Sequence, residues 1–140
     1  MRLAGYSHRP LTAKLGIQPG QNVMLVAAPR GFRGTLGRLP AGAKLVTRLE
    51  RNASLIIAFT TSSRPLEQDF QRWKSALVAD GVLWVCWPKR ASGVKTDVDE
   101  NVVRGICLAS GLVDVKVCAI DAMWSGLKCV YRLKDRSLKS

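Results

Sequence analysis

Three stretches of this chain are apolar without interruption and far too short to span a membrane: Val23–Val26, Leu55–Phe59 and Val82–Trp87. A strand with one wet face alternates apolar and polar residues, whereas one covered on both faces reads as an unbroken apolar run. Asn22–Ala28, Ser54–Thr60 and Val82–Trp87 are therefore expected to be buried strands of a parallel sheet with helices on each side. Between the second and third run, Arg64–Asp80 carries Leu66, Phe70, Trp73 and Leu77 at helical spacing. Ser63 is placed to cap that helix, Pro65 suits its first turn, and Gly81 is expected to end it. A second helix is expected over Asp97–Ser110. Thr96 and Asp99 stand at its start, Val98, Val102 and Ile106 form an inner stripe, and Gly111 stops it.

The remaining segments are shorter. Pro10–Gly16 reads as a short helix followed by a Pro19-Gly20 turn, Pro29–Gly37 as a glycine-punctuated loop or short helix, and Ala43–Leu49 as a weak strand. Val113–Asp121 and Leu127–Leu133, joined by a short connection, read as antiparallel neighbours. The expected fold is thus a single α/β domain over residues 1–140, a Rossmann-like three-layer structure. Residues 1–20 form an N-terminal arm and 134–140 a frayed tail. Its sheet is mostly parallel and closes with a C-terminal antiparallel hairpin strand. That outline, from Leu55 to Leu133, resembles the second half of a class I methyltransferase in reduced form.

Charge narrows the partners. The chain has 140 residues and a formal net charge of +12, and residues 1–52 carry nine basic side chains against the single acid Glu50. Such a surface attracts anions, whether phosphate-bearing ligands, nucleic acid or acidic protein. With 47% hydrophobic and 23% charged residues the composition is that of a folded globular protein. Met1–Leu11 has no apolar core of a signal peptide, so a soluble, cytoplasmic protein without membrane contact is expected. The four cysteines, Cys86, Cys107, Cys118 and Cys129, form no Cys-x-x-Cys pair and are expected to be reduced and structural. The only histidine, His8, lies in the arm, which argues against Ser-His-Asp or Cys-His chemistry. No metal-ligand spacing and no pair of carboxylates in acid/base arrangement is visible.

In open α/β sheets ligands collect where the strands end at their carboxyl side. The residues expected there are Arg30, Gly31 and Phe32 after the first run, and Thr61 and Ser62 after the second. Trp87, Lys89, Arg90, Ser92 and Gly93 follow the third, and Asp121, Trp124, Ser125 and Lys128 come from the last connection and strand. Arginine and lysine suit phosphate, glycine permits close backbone approach, and Trp87 and Trp124 are candidates for exposed stacking. Trp73 and Trp84 are expected in the core. Gly31, Gly34 and Gly37 do not make a Gly-x-Gly-x-x-Gly fingerprint. Glu50, nineteen residues beyond Gly31, stands near the spacing of a ribose-binding acid, although on a weak, basic strand end a solvated surface position explains it better.

Three segments, Ala4–Gly20, Leu83–Arg104 and Gly111–Arg132, resemble a family of small bacterial proteins, domain of unknown function 3052. The resemblance rests on "WPKRASGV" (Trp87–Val94), "GLVDVKV" (Gly111–Val117) and "DAMWSGLK" (Asp121–Lys128), with Lys89-Arg90 standing where two lysines are expected. It brings no activity or cofactor with it. The missing glycine fingerprint and the short first half favour a non-catalytic binding or adaptor domain for an anionic ligand or nucleic acid at the strand carboxyl edge. The alternative is an S-adenosylmethionine-dependent methyltransferase. Cofactor and oligomeric state are left open by the sequence.

Overall fold

The computed structural model describes residues 9–48 and 50–138. His8 and Leu49 lie outside them. In chain order the elements are α1 (Leu11–Leu15), β1 (Asn22–Val26), α2 (Phe32–Leu36), β2 (Lys44–Val46), β3 (Ala53–Phe59) and α3 (Ser63–Ala76). They continue with β4 (Leu77–Pro88), a 3₁₀ turn (Arg90–Ser92), α4 (Glu100–Ala109), β5 (Leu112–Ala119), β6 (Trp124–Tyr131) and α5 (Leu133–Arg136). One six-stranded sheet runs in the order β2-β1-β3-β4-β6-β5. The pairs β1–β2, β1–β3 and β3–β4 are parallel. Strand β6 inserts antiparallel between β4 and β5. The expected mixed Rossmann-like sheet with its antiparallel hairpin is what forms.

The unbroken apolar runs are explained by two cores. On one face Val23, Leu25, Leu55, Ile57 and Trp84 pack against Leu15, Ile17, Phe32 and Leu36 from the α1–α2 side. On the other, Met24, Ile56, Ala58 and Val85 pack against Leu66, Phe70, Trp73, Val103 and Cys107 of α3 and α4. Successive residues of β3 point to opposite faces, and both faces are dry from Leu55 to Phe59, so every position in that run is apolar. Each such large side chain, fully buried, contributes about 1.5–3 kcal/mol.

The segment expected as an arm supplies part of this core. Leu15 and Ile17 are buried, and the indole N–H of Trp84 donates to the Leu15 carbonyl at 3.0 Å in the interior. Gly16, at φ 81°, stops α1 as expected. Within the expected polar tail, residues 133–136 form the short helix α5.

Two boundaries differ from the sequence pattern. The helix expected to run to Asp80 ends at Ala76, and Leu77 is already extended at ψ 142°. Leu77 continues the apolar spacing of Trp73, but it is fully buried and pairs with Ala53 of β3. Tertiary pairing outweighs local helical preference there. Gly81 therefore does not cap a helix. It lies in β4 beside the register shift, where a Cβ would meet the Ala53 and Val78 carbonyl oxygens at 3.0 Å. In α4 the innermost residues are Val103 and Cys107, while Val102 and Ile106 are only half-buried and flank the core. Asp99 caps this helix by accepting from the Val102 N–H at 2.9 Å. Among the described residues no helix is long and apolar enough to cross a membrane.

Candidate functional site

The chain leaves β1 toward β2 on one side and returns to β3 on the other, so β1 and β3 bracket the point where the strand order reverses. Side-chain and backbone groups diverge there and leave a crevice. At this point Ala27 adopts φ 54°, a left-handed conformation that costs a non-glycine residue about 1–3 kcal/mol. Gly31 follows at φ 90° and opens α2. A cleft of about 560 Å³ forms here, lined by Val26, Ala27, Arg30, Gly31, Arg33 and, from the end of β2, Thr47. Phe32, expected at a ligand, also lines this cleft, although most of its side chain is buried. Its ring meets Phe59 edge-on at 4.8 Å, and Phe59 meets Trp124 edge-on at 5.1 Å. Phe32 thus meets the cleft, with Phe59 and Trp124 packed in sequence behind it.

Across β3 and β4 the edge is built by hydrogen bonds. The Ser63 N–H and hydroxyl donate to the two carboxylate oxygens of Asp97 at 2.8 and 2.6 Å. Asp97 thus caps α3 from 34 residues away, where the sequence points to Ser63 as the cap and to Asp97 as a member of the following helix. These bonds hold the Asp97 carboxyl below the usual carboxylate range. Next to it the Thr96 hydroxyl donates to the Thr61 carbonyl at 2.6 Å. A recess of about 270 Å³ opens between the loops, bounded by Trp87, Pro88, Arg90, Thr96 and the two acids Asp97 and Asp99. Trp87 forms its buried floor at 5% exposure, because the α3–α4 core closes over it, and it cannot stack on a ligand as expected.

The third part is the loop after β4. Lys89 donates its N–H to the Met123 carbonyl at 2.8 Å, which ties this loop to the β5–β6 connection. The Ser92 hydroxyl donates to the Lys89 carbonyl at 2.7 Å and accepts from the Val94 N–H, and Gly93 takes φ 76° to close the turn. Asp121 accepts from the N–H groups of Met123 and Trp124 at 2.8 and 2.9 Å, so it builds the turn rather than presenting a free acid.

The structure therefore gathers Arg30, Gly31, Thr61, Ser62, Lys89, Arg90, Ser92, Gly93 and Asp121 along one edge of the sheet. Phe32 and Trp87 lie in the core, and Trp124 is half-buried against Phe59. Ser125 pairs opposite Trp87, and Lys128 pairs with Trp84 well inside the sheet, away from the strand ends. Glu50 lines a different hollow, with Gly20, Asn22 and Asn52 at the amino ends of the strands, so no acid stands at the end of β2 among the described residues. Sequence reasoning missed Ala27, Arg33 and Thr47, which a strand-end rule applied to every flanking residue would have included. Asp97 gave no local signal, since its partner is far away in the chain.

Nucleophilic roles for Cys86 and Cys129 are not supported. Burial pushes the Cys86 thiol far above its ordinary range, and a hydrogen bond with Cys107 together with burial does the same for Cys129. All four cysteines are free. No metal-binding cluster of His, Cys, Asp or Glu occurs among the described residues.

Scans against family models and against curated proteins return no match. Solved structures do match. A SAM-dependent methyltransferase from Aquifex aeolicus superposes with a TM-score of 0.62 at 12% identity, over 85% of this chain and 86% of its own. A TehB-like SAM-dependent methyltransferase from Corynebacterium glutamicum gives 0.59 at 13%, over 92% and 91%. Magnesium protoporphyrin IX methyltransferase from Synechocystis, with bound SAM, gives 0.61 at 10%, over 87% and 74%. The fold is that of the class I methyltransferases. This corrects the expectation of a non-catalytic binding or adaptor domain, which rested on a missing glycine fingerprint and a short first half. The six-stranded sheet forms with its antiparallel insertion without that fingerprint.

Proposed function

We propose that this domain is an S-adenosylmethionine-dependent methyltransferase whose cofactor lies in the cleft at the end of β1. The observation that carries the reading is the open switch-point cleft with left-handed Ala27 at its mouth. Strained backbone at such a place marks a ligand approach. Its volume lies within the roughly 300–1,000 Å³ of small-molecule sites. The donor set fits the cofactor in part. Val26, Ala28 and Pro29 offer apolar wall to an adenine, the Arg30 guanidinium suits the amino-acid carboxylate, and the Thr47 hydroxyl can bond a ribose hydroxyl. A Cβ at Gly31 would meet no heavy atom within 4 Å, so the loop surface is open to approach. When bound, S-adenosylmethionine supplies a methyl group: an acceptor lone pair takes it as the carbon–sulfur bond breaks, the electron pair stays on sulfur, and the acceptor's proton leaves to solvent. Thr61, Ser62, Lys89, Arg90, Ser92 and Gly93 stand on the acceptor side of the same edge.

The four free cysteines support a reducing, cytoplasmic setting. We also propose membership in the small bacterial family that the three segments resemble, since "WPKRASGV" and "DAMWSGLK" build the loops that meet through Lys89 and Met123.

Titration with S-adenosylhomocysteine, followed by calorimetry, tests the cofactor reading. Micromolar binding that weakens about tenfold or more in Arg30→Ala is expected. No binding at millimolar ligand overturns it.

A further inference from the structure

We infer that the Trp87-floored recess at the end of β4 takes a free amino acid, held by its two charged ends. The ligand's role as methyl acceptor rests on the methyltransferase reading above; its binding does not. Three ionised side chains line this recess, Arg90 from the turn after β4 and Asp97 and Asp99 from the approach to α4. All three are exposed, while Trp87 and Val98 form a buried apolar floor between them.

These charges do not cancel one another. Among the described residues the Arg90 guanidinium makes no hydrogen bond and no ion pair, so it does not reach either carboxylate across the recess. Asp97 accepts from the Ser63 N–H and hydroxyl, and those bonds stabilise its ionised form rather than neutralise it. Asp99 uses one oxygen on the Val102 N–H, which leaves the other without a donor among the described residues. A ligand that fills the space must therefore answer a cation on one wall and two anions on the other.

That pattern selects the occupant. A phosphate chain that suits Arg90 meets two carboxylates, and a simple amine that suits the carboxylates brings nothing for Arg90. A free amino acid answers both walls. Its carboxylate takes the forked guanidinium N–H groups, its ammonium donates to Asp97 and Asp99, and its side chain lies over the apolar floor. Size agrees, since about 270 Å³ falls just below the roughly 300–1,000 Å³ of drug-sized sites. Place agrees as well. Only β3 separates β4 from β1 in the sheet, so at about 4.8 Å per strand spacing the recess lies roughly 10 Å from the cofactor cleft. An ammonium held by carboxylates has no lone pair, so a transferred methyl goes to a side-chain nitrogen, oxygen or sulfur. That atom's lone pair forms the bond to the methyl carbon, the carbon–sulfur bond of S-adenosylmethionine breaks with its pair left on sulfur, and the side-chain proton passes to solvent.

The test is calorimetry on the purified full chain with a panel of the standard free amino acids. The tightest binder is then compared with its N-acetyl and carboxamide derivatives, which remove the ammonium and the carboxylate in turn. Each derivative should bind about tenfold or more weakly. Arg90→Gln should no longer distinguish the amino acid from its carboxamide. The double variant Asp97→Asn, Asp99→Asn, in which asparagine still caps both helices, should no longer distinguish it from the N-acetyl form. Lys44→Gln, at the amino end of β2, controls for net charge and should match wild type, and thermal melting checks that every variant folds. No amino acid bound at millimolar concentration overturns the inference. So do derivatives that bind as well as the parent, or variants that keep both preferences. S-adenosylhomocysteine is titrated in parallel. Its failure to bind, with charge-dependent amino-acid binding intact, removes the methyltransferase reading and the acceptor role but leaves the site; the reverse result removes the site alone.

Discussion

The two halves of the sheet are built to different standards. In the amino-terminal half β1 has five residues and β2 three, and none of the three β2 residues is fully buried. In the carboxyl-terminal half β4 has twelve residues and β5 and β6 eight each, with Trp84, Val85 and Cys86 fully buried. The thin half carries the switch-point cleft and the positive-φ alanine, whereas the thick half carries the longer strands. Mutations can probe the two halves independently.

The largest effect should come from the thick half. Trp84→Ala removes a fully buried indole and its bond to Leu15, and a loss of about 3–5 kcal/mol is expected from urea unfolding. If Leu45→Ala, in half-buried β2, costs as much, the contrast between the halves is broken; about 1 kcal/mol is expected. Gly81→Ala forces a Cβ against two carbonyl oxygens at 3.0 Å and should cost about 1–3 kcal/mol by the same measurement. Phe59→Leu sharpens the comparison at the seam, because its ring joins Phe32 of the thin half to Trp124 of the thick one. Beyond lost area, about 1 kcal/mol per lost aromatic pair is expected.

The smallest effect is a pH dependence. Asp97 has a depressed carboxyl in the fold, so it stabilises above its unfolded value near 3.8, and that contribution disappears as pH falls through the lower folded value. Asp97→Asn should therefore lower the urea midpoint at pH 7 and lower it less at pH 2. An equal drop at both pH values would show that the cap works by shape rather than by charge.

These contrasts explain what was legible in the sequence. β3 was readable because Leu55–Phe59 meets two dry faces, and dryness on both sides is written as an unbroken apolar run. The end of α3 was not, because Leu77 satisfies the helical spacing of Trp73 and the strand pairing with Ala53 equally well, and only the pairing partner decides. The rim was found by the strand-end rule, which needs only element order. Its side-chain roles were misread where burial comes from distant chain. Trp87 follows Cys86 toward the strand end but is roofed by residues of α3 and α4, and Asp121 looked like a site acid because its bonds to Met123 and Trp124 are invisible in composition.

The bond from Trp84 to the Leu15 carbonyl spans 69 residues. β1 likewise waits for β3 to supply its second parallel neighbour. During synthesis α1 and β1 leave the ribosome before β4 and cannot settle until it has followed, so a stretch made earlier is secured late. A chain stalled before Trp84 would leave Leu15, Ile17 and the flank of β1 without a partner, exposed to chaperones and proteases.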